Sequence, residues 1–175
     1  MDIMIDLETL STRPDAVIAS IGACRFDPST GEIDPNTFHH QLMMDDQIRD
    51  GRHISASTLR FWLEQSSEAQ KELRGRDYLS QTLDRFALWV TRSFDECVWS
   101  NGASFDIPIL EHAYSTVEGL PVPWRHGKVR CYRTLKALVG TRAVQTFINP
   151  LAHNALEDAI FQAKQAAAYL GALHV

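Results

Sequence analysis

From Asp2 to Thr9 apolar and polar positions alternate, placing Ile3, Ile5 and Leu7 on one face and Met4, Asp6 and Glu8 on the other, the period of a strand. A second apolar run spans Val17 to Phe26, and Asp27-Pro28-Ser29-Thr30-Gly31 after it is a dense turn signal. This predicts a hairpin, with Thr37 to Leu42 as the next strand of a meander. From Ser55 the period lengthens: Leu59, Trp62 and Leu63 fall at helical spacing behind the cap candidates Ser55 and Ser57. A second helical stripe carries Leu79, Leu83, Phe86, Ala87 and Val90. Cys97 to Trp99 then predicts a strand that breaks at Asn101-Gly102 and leads into a helix bearing Ile109, Leu110, Ala113, Tyr114 and Val117. Lys128 to Tyr132 reads as a further strand or turn, followed by a helix near Thr134 to Val139 and a last helix from about Ala155 to Leu170. Three meander strands followed by alternating helices and strands give an α/β fold, a mixed central sheet with antiparallel and parallel pairs flanked by helices. Gly140 to Pro150, between two helices, is expected to be the most mobile segment.

Composition narrows this picture. A chain of 175 residues, 45% hydrophobic and 22% charged, suits one domain spanning 1–175. The absence of a basic start followed by an apolar run, or of any span-length apolar stretch, argues against secretion and membrane insertion. Cys24, Cys97 and Cys131 are scattered and odd in number, which suits a reducing cytoplasm better than a disulfide framework or a zinc site. The net charge of -5 would by itself count against a nucleic-acid partner. A carboxylate cluster that recruits cations reverses that sign locally.

Such carboxylates are present. Asp6 and Glu8, two apart on a strand, leave the same face and repel unless a cation lies between them. Alone, an Asp-x-Glu is usually a polar edge. In His153-Asn154-Ala155-Leu156-Glu157-Asp158, Asn154 as N-cap makes Glu157 the third helical residue, a variant capping box. His153 and Asp158 then occupy the two positions that meet across a helix start. In Asn101-Gly102-Ala103-Ser104-Phe105-Asp106, a strand end passes into a helix, with Ser104 the cap candidate and Asp106 in the first turn. Each acid taken singly is more ordinarily a partner of the helix dipole. Together, four carboxylates from separate segments can hold two divalent ions about 3.5 to 4 Å apart for phosphodiester hydrolysis. His153 can act as general base, an unperturbed imidazole titrating near pH ~6.5.

The ordered trio Asp6-Leu7-Glu8-Thr9, Asn101 through Asp106, and His153 through Asp158 resembles the DEDDh exonuclease superfamily, which includes oligoribonuclease, ribonuclease T and replicase proofreading subunits. Thr9-Leu10-Ser11-Thr12 and Ser57 to Leu63 look most like its compact phage-type and bacterial exoribonuclease branch. The resemblance implies a ribonuclease H-like fold, two Mg²⁺ or Mn²⁺ ions on Asp6, Glu8, Asp106 and Asp158, and stepwise release of nucleoside monophosphates from the 3′ end of single-stranded RNA or DNA. Many members carry an acid before the Arg-Thr-Leu of Arg133-Thr134-Leu135, and this chain has Tyr132 there. Thr9, Asn101 and Phe105 flank the expected site as substrate contacts, and Trp124 to Arg130, the densest basic run, as a guide for the backbone. A homodimer is a further expectation, without an assignable interface. Two alternatives stay open: an inert nucleic-acid-binding module, and an endonuclease or resolvase on the same fold.

Overall fold

The computed structural model describes residues 1–90, 96–140 and 152–173. The strands are β1 (Asp2–Thr9), β2 (Ile18–Phe26), β3 (Phe38–Gln41), β4 (Val98–Ser100) and β5 (Val129–Cys131). The helices are α1 (Met44–Arg49), α2 (Ala56–Glu64), α3 (Leu79–Val90), α4 (Asp106–Ser115), α5 (Tyr132–Val139) and α6 (Ala155–Leu173). The five strands form one sheet in the order β3-β2-β1-β4-β5. β1 pairs antiparallel with β2 and parallel with β4, so the sheet is mixed as the pattern predicts, and β1 lies at its centre.

The alternation along β1 decides how the layers pack. Ile3, Ile5 and Leu7 enter a core built with Leu83 and Phe86 of α3 and Leu110 and Tyr114 of α4. Met4, on the opposite face, joins Cys24, Phe26 and Trp99 beneath Leu135 of α5 and Ala159, Ala163 and Ala166 of α6. Fully burying one such large side chain contributes about 1.5–3 kcal/mol. The run of alanines on α6 lets that helix lie close to the sheet. Asp27 closes the β2 turn, accepting the Ser29 and Thr30 N–H groups at 2.7 and 3.3 Å, and Gly31 follows at φ 77°.

Several sequence expectations need correction. Ser104 does not cap α4: Phe105 holds the N-cap position, and no side chain bonds there. Ser55 is the N-cap residue of α2, but its hydroxyl pairs with that of Ser57 at 2.7 Å, with no side-chain cap bond. The helix expected near Thr134 begins at Tyr132. Among the described residues three elements have no counterpart in the sequence reading: α1 and the 3-10 turns at Ala69–Arg74 and His126–Lys128. In α1 buried Gln47 takes the place of a strand, its amide accepting from Ile18 N–H and donating to Ile18 C=O. All of Gly140 to Pro150 except Gly140 lies outside the described residues. Among the described residues no helix is long and apolar enough to cross a membrane.

Candidate active site

Three segments converge on the upper half of β1. Asp6 and Glu8 project from the α6 side of this central strand, so the solvent-facing polar edge that an isolated Asp-x-Glu suggests does not apply. Glu8 is 8% exposed. Asp6 stands opposite Gly22 of β2, where α6 begins. A β-carbon at Gly22 would lie 2.1 Å from the Ala155 carbonyl carbon and 2.3 Å from the Leu156 nitrogen, so only glycine lets the first turn of α6 reach the sheet. That approach brings His153 and Asp158 to Glu8. Nitrogen and carboxylate oxygen atoms of Glu8, His153 and Asp158 all lie within 4.8 Å of one another.

The helix start takes the predicted form. Asn154 Oδ1 accepts the Glu157 N–H at 3.1 Å, one half of the capping box, and Asp158 bonds back to His153. The backbone carries part of this contact: the His153 N–H donates to Asp158 Oδ2 at 2.8 Å. His153 has φ 66°, a left-handed conformation that costs a non-glycine residue about 1–3 kcal/mol and persists only where neighbours hold it. The imidazole stands edge-on to Phe61 at 5.1 Å and to Trp62 at 6.3 Å between ring centroids. Trp62 is anchored in turn by its Nε1–H, which donates to Thr9 C=O at 2.9 Å.

Asp106 arrives from another direction. β4 ends at Ser100, opposite Ile5, and Asp106 at the start of α4 accepts the Leu7 N–H through Oδ1 at 3.2 Å. The residue between Asp6 and Glu8 thus ties the third segment to β1. Two participants are absent from the sequence reading. Gln162, one turn beyond Asp158 on α6, donates from Nε2 to Asp6 Oδ1 at 2.8 Å. Glu72, 1% exposed, accepts from His39, Gln41 and Asn154. Gln162 was findable, since residues four apart share a helix face with Asp158; nothing periodic marks Glu72.

Burial and crowding set the electrostatics. Burial, followed by repulsion from Asp106, Glu8 and Asp158, holds the Asp6 carboxyl well above its usual range. Burial with the charges of Asp158, Glu72 and Asp106 pushes Glu8 up to about 8. Burial raises Asp106 to about 7 against the opposing pull of the Leu7 N–H and of Arg133. For Glu72 burial is again the largest single influence, but its hydrogen bonds, led by that from His39, together outweigh it and keep the carboxyl below the usual range. Carboxylates so crowded favour a bound cation over a shared proton. The hard oxygen donors and the imidazole fit divalent metal ions held by Asp6, Glu8, Asp106 and Asp158.

A cavity of about 290 Å³ opens beside Glu8, walled by Thr9, Ser57, Thr58, Phe61, Trp62 and Phe105. Two of the three expected substrate contacts, Thr9 and Phe105, line it. Asn101, just past β4 and half-buried, does not. The Thr9 hydroxyl donates to Ser11 C=O at 2.8 Å, leaving its oxygen only to accept from a ligand. The basic run Trp124 to Arg130 lies elsewhere. It leads into β5, whose Val129 is level with Val98 and hence with Ile3, so most of it sits at the opposite end of the parallel strands from Glu8. Arg133, two residues beyond β5, is a cation that reaches this end of the sheet: its Nη2 would lie 3.7 Å from a β-carbon on Gly102, and its charge acts on Asp106. An apolar cavity of about 470 Å³, lined by Ile3, Val90, Leu120 and Trp124, occupies the other face of the sheet, and its Glu96 is paired with Arg25 at 3.3 Å.

Comparison with known proteins gives the family and the fold. The exodeoxyribonuclease of Enterobacteria phage T4 is 27% identical over 128 residues, 62% of this chain and 53% of that protein. E. coli exonuclease I in complex with a dA16 oligonucleotide superposes with a TM-score of 0.67 at 14% identity, covering 95% of this chain and 40% of that one. The zinc-bound complex of the same enzyme with single-stranded DNA gives 0.69 at 14% identity, covering 95% and 39%. The chain thus spans about half or less of the length of these relatives, and shares with exonuclease I a ribonuclease H-like fold. Residues 1–170 match the 3′-5′ exoribonuclease Rv2179c-like domain, and the chain belongs to that family, within the DEDDh exonuclease superfamily.

Proposed function

We propose that this chain hydrolyses single-stranded nucleic acid from its 3′ end, releasing nucleoside 5′-monophosphates, with RNA preferred over DNA. Two Mg²⁺ or Mn²⁺ ions are held by Asp6, Glu8, Asp106 and Asp158, and His153 is the general base. The observation that carries this reading is the meeting of Glu8, His153 and Asp158 within 4.8 Å beside two further buried carboxylates. When bound, such ions supply water activation and charge stabilisation on the leaving oxygen. The residues do the rest. His153, braced by Phe61 and Trp62, takes a proton from the attacking water through its imidazole. Phe105 and Phe61 offer apolar walls for a terminal base, and Thr9 Oγ1 accepts from a sugar hydroxyl. Arg133 offers positive charge to a backbone phosphate beside Asp106. The preference for RNA follows the family's description; the T4 relative is an exodeoxyribonuclease and exonuclease I is seen with DNA oligonucleotides, so DNA is the competing substrate.

Matched 5′-labelled RNA and DNA oligomers, and a circular single strand, incubated with each metal, separate the readings. The expected result is a ladder shortening from the 3′ end, faster on RNA, with the circle intact. Faster loss of DNA overturns the RNA preference. A cut circle identifies an endonuclease, and binding without cleavage an inert module.

A further inference from the structure

Glu72 belongs to no sequence motif, yet it lies beside the acidic cluster and is only 1% exposed. Its three donors come from two directions. His39 Nε2, at 3.0 Å, and Gln41 Nε2, at 2.9 Å, belong to the edge strand β3. Asn154 Nδ2, at 2.8 Å, belongs to the residue directly after His153. The turn that carries Glu72 is pressed onto this edge, since a β-carbon at Gly75 would lie 2.1 Å from the Gln41 carbonyl carbon, and Leu42 and Asp77 form a parallel bridge.

The Asn154 amide has a task at each end. Its oxygen accepts the Glu157 N–H at 3.1 Å and caps α6, while its nitrogen donates to Glu72. The amide cannot flip, because its oxygen would then face a carboxylate. The backbone between the strained His153, at φ 66°, and the first turn of α6 is therefore clamped from one side by Glu72 and from the other by Asp158. We propose that Glu72 is a positioning residue, acting through Asn154 to hold the His153 imidazole where it can take the proton of the attacking water. The proposal rests on His153 as the general base. Hydrogen-bonded partners behind a reacting group commonly govern activity by about 10–100-fold.

A swap of hydrogen-bond direction tests it. Asn154→Asp sets two carboxylates against each other and is expected to lower kcat at least about tenfold at saturating Mn²⁺, with KM for a short single strand changed less than about threefold. Glu72→Leu, which leaves the Asn154 amide without an acceptor, is expected to lower kcat in the same manner, whereas Glu72→Gln alone keeps an oxygen for that amide and is expected to change kcat less than about threefold. In the double variant the amide at position 72 donates to the carboxylate at position 154, Gln41 turns its amide to match, and most of the lost kcat returns. A merely structural contact would move the melting temperature without this reciprocal recovery. If Asn154→Asp does not fold, Asn154→Ser keeps a capping oxygen and removes the amide nitrogen that reaches Glu72, its shorter hydroxyl being engaged at the cap, and the same tenfold criterion applies to it. Loss of kcat by less than about threefold in folded Asn154→Asp or Glu72→Leu, or a double variant no better than Asn154→Asp, overturns the role of Glu72. His153→Ala separates the two claims: if it retains kcat, the general-base reading fails; if it loses kcat while the Asn154 variants do not, the Glu72 proposal alone fails.

Discussion

Asp6 shows how a single side chain depends on its neighbours. It stands among Glu8, Asp106 and Asp158, and the hydrogen bond from Gln162 opposes the upward push on its carboxyl. Removing that donor with Gln162→Leu is expected to weaken Mn²⁺ binding about tenfold in calorimetric titration while leaving kcat at saturating metal within a few-fold; unchanged affinity would contradict the assignment. Asp6, Glu8, Asp158 and His153 are readable from the sequence because strand parity and capping register leave them few directions to face, whereas Asp106 rests mostly on the family resemblance. Glu72 is not, because a buried acid on an irregular turn has no period to betray it. Arg133 illustrates a second limit. It has fewer basic neighbours than Arg125, and only the strand register reveals which of them stands at the acidic end of the sheet.

Among the elements, α6 matters most, since its start carries both His153 and Asp158 and its next turn Gln162. Its position is set by Gly22, where an added methyl group would collide with backbone rather than with a side chain able to turn aside. Gly22→Ala is expected to cost about 3 kcal/mol or more, the upper end of the range for overpacking, measured by urea denaturation, with nuclease activity falling further than stability. A variant as stable and active as the parent would show that the helix need not sit so close. The helices and strands with clean periods are legible from hydrophobic spacing alone. α1 is not, because its buried anchor is the polar Gln47 satisfying both backbone groups of Ile18, and a glutamine carries no hydrophobic signal. The start of α4 is misread for a related reason: Ser104 has the chemistry of a cap, but the chain turns into the helix at Phe105, where no side chain caps it.

For the whole molecule, the crowded carboxylates link stability to pH and to metal. Glu8 is raised from 4.5 to about 8, so the folded metal-free protein binds more protons than the unfolded chain across that interval. Unfolding then releases protons, and the Glu8 contribution to stability is expected to be fully present below the ordinary carboxylate range and to be lost as pH rises through about 8, while Glu72, held below its usual range, contributes stability that is lost only in acid. Divalent ions should reverse the trend, raising the melting temperature most at the alkaline end. A melting temperature that rises in chelator as pH passes through about 8 would contradict the account. The mixed sheet was legible from the order of elements, and the β3-β2-β1-β4-β5 arrangement explains why the chemistry lies at its middle, where the central strand outruns its parallel neighbour and leaves room for Asp106. The most direct test of the central claim is digestion of a 5′-labelled single-stranded RNA in Mn²⁺ by the parent chain and by Asp6→Asn. The account predicts a ladder receding from the 3′ end that vanishes in chelator and in the variant. An uncleaved strand, or cleavage that survives the substitution, would contradict it.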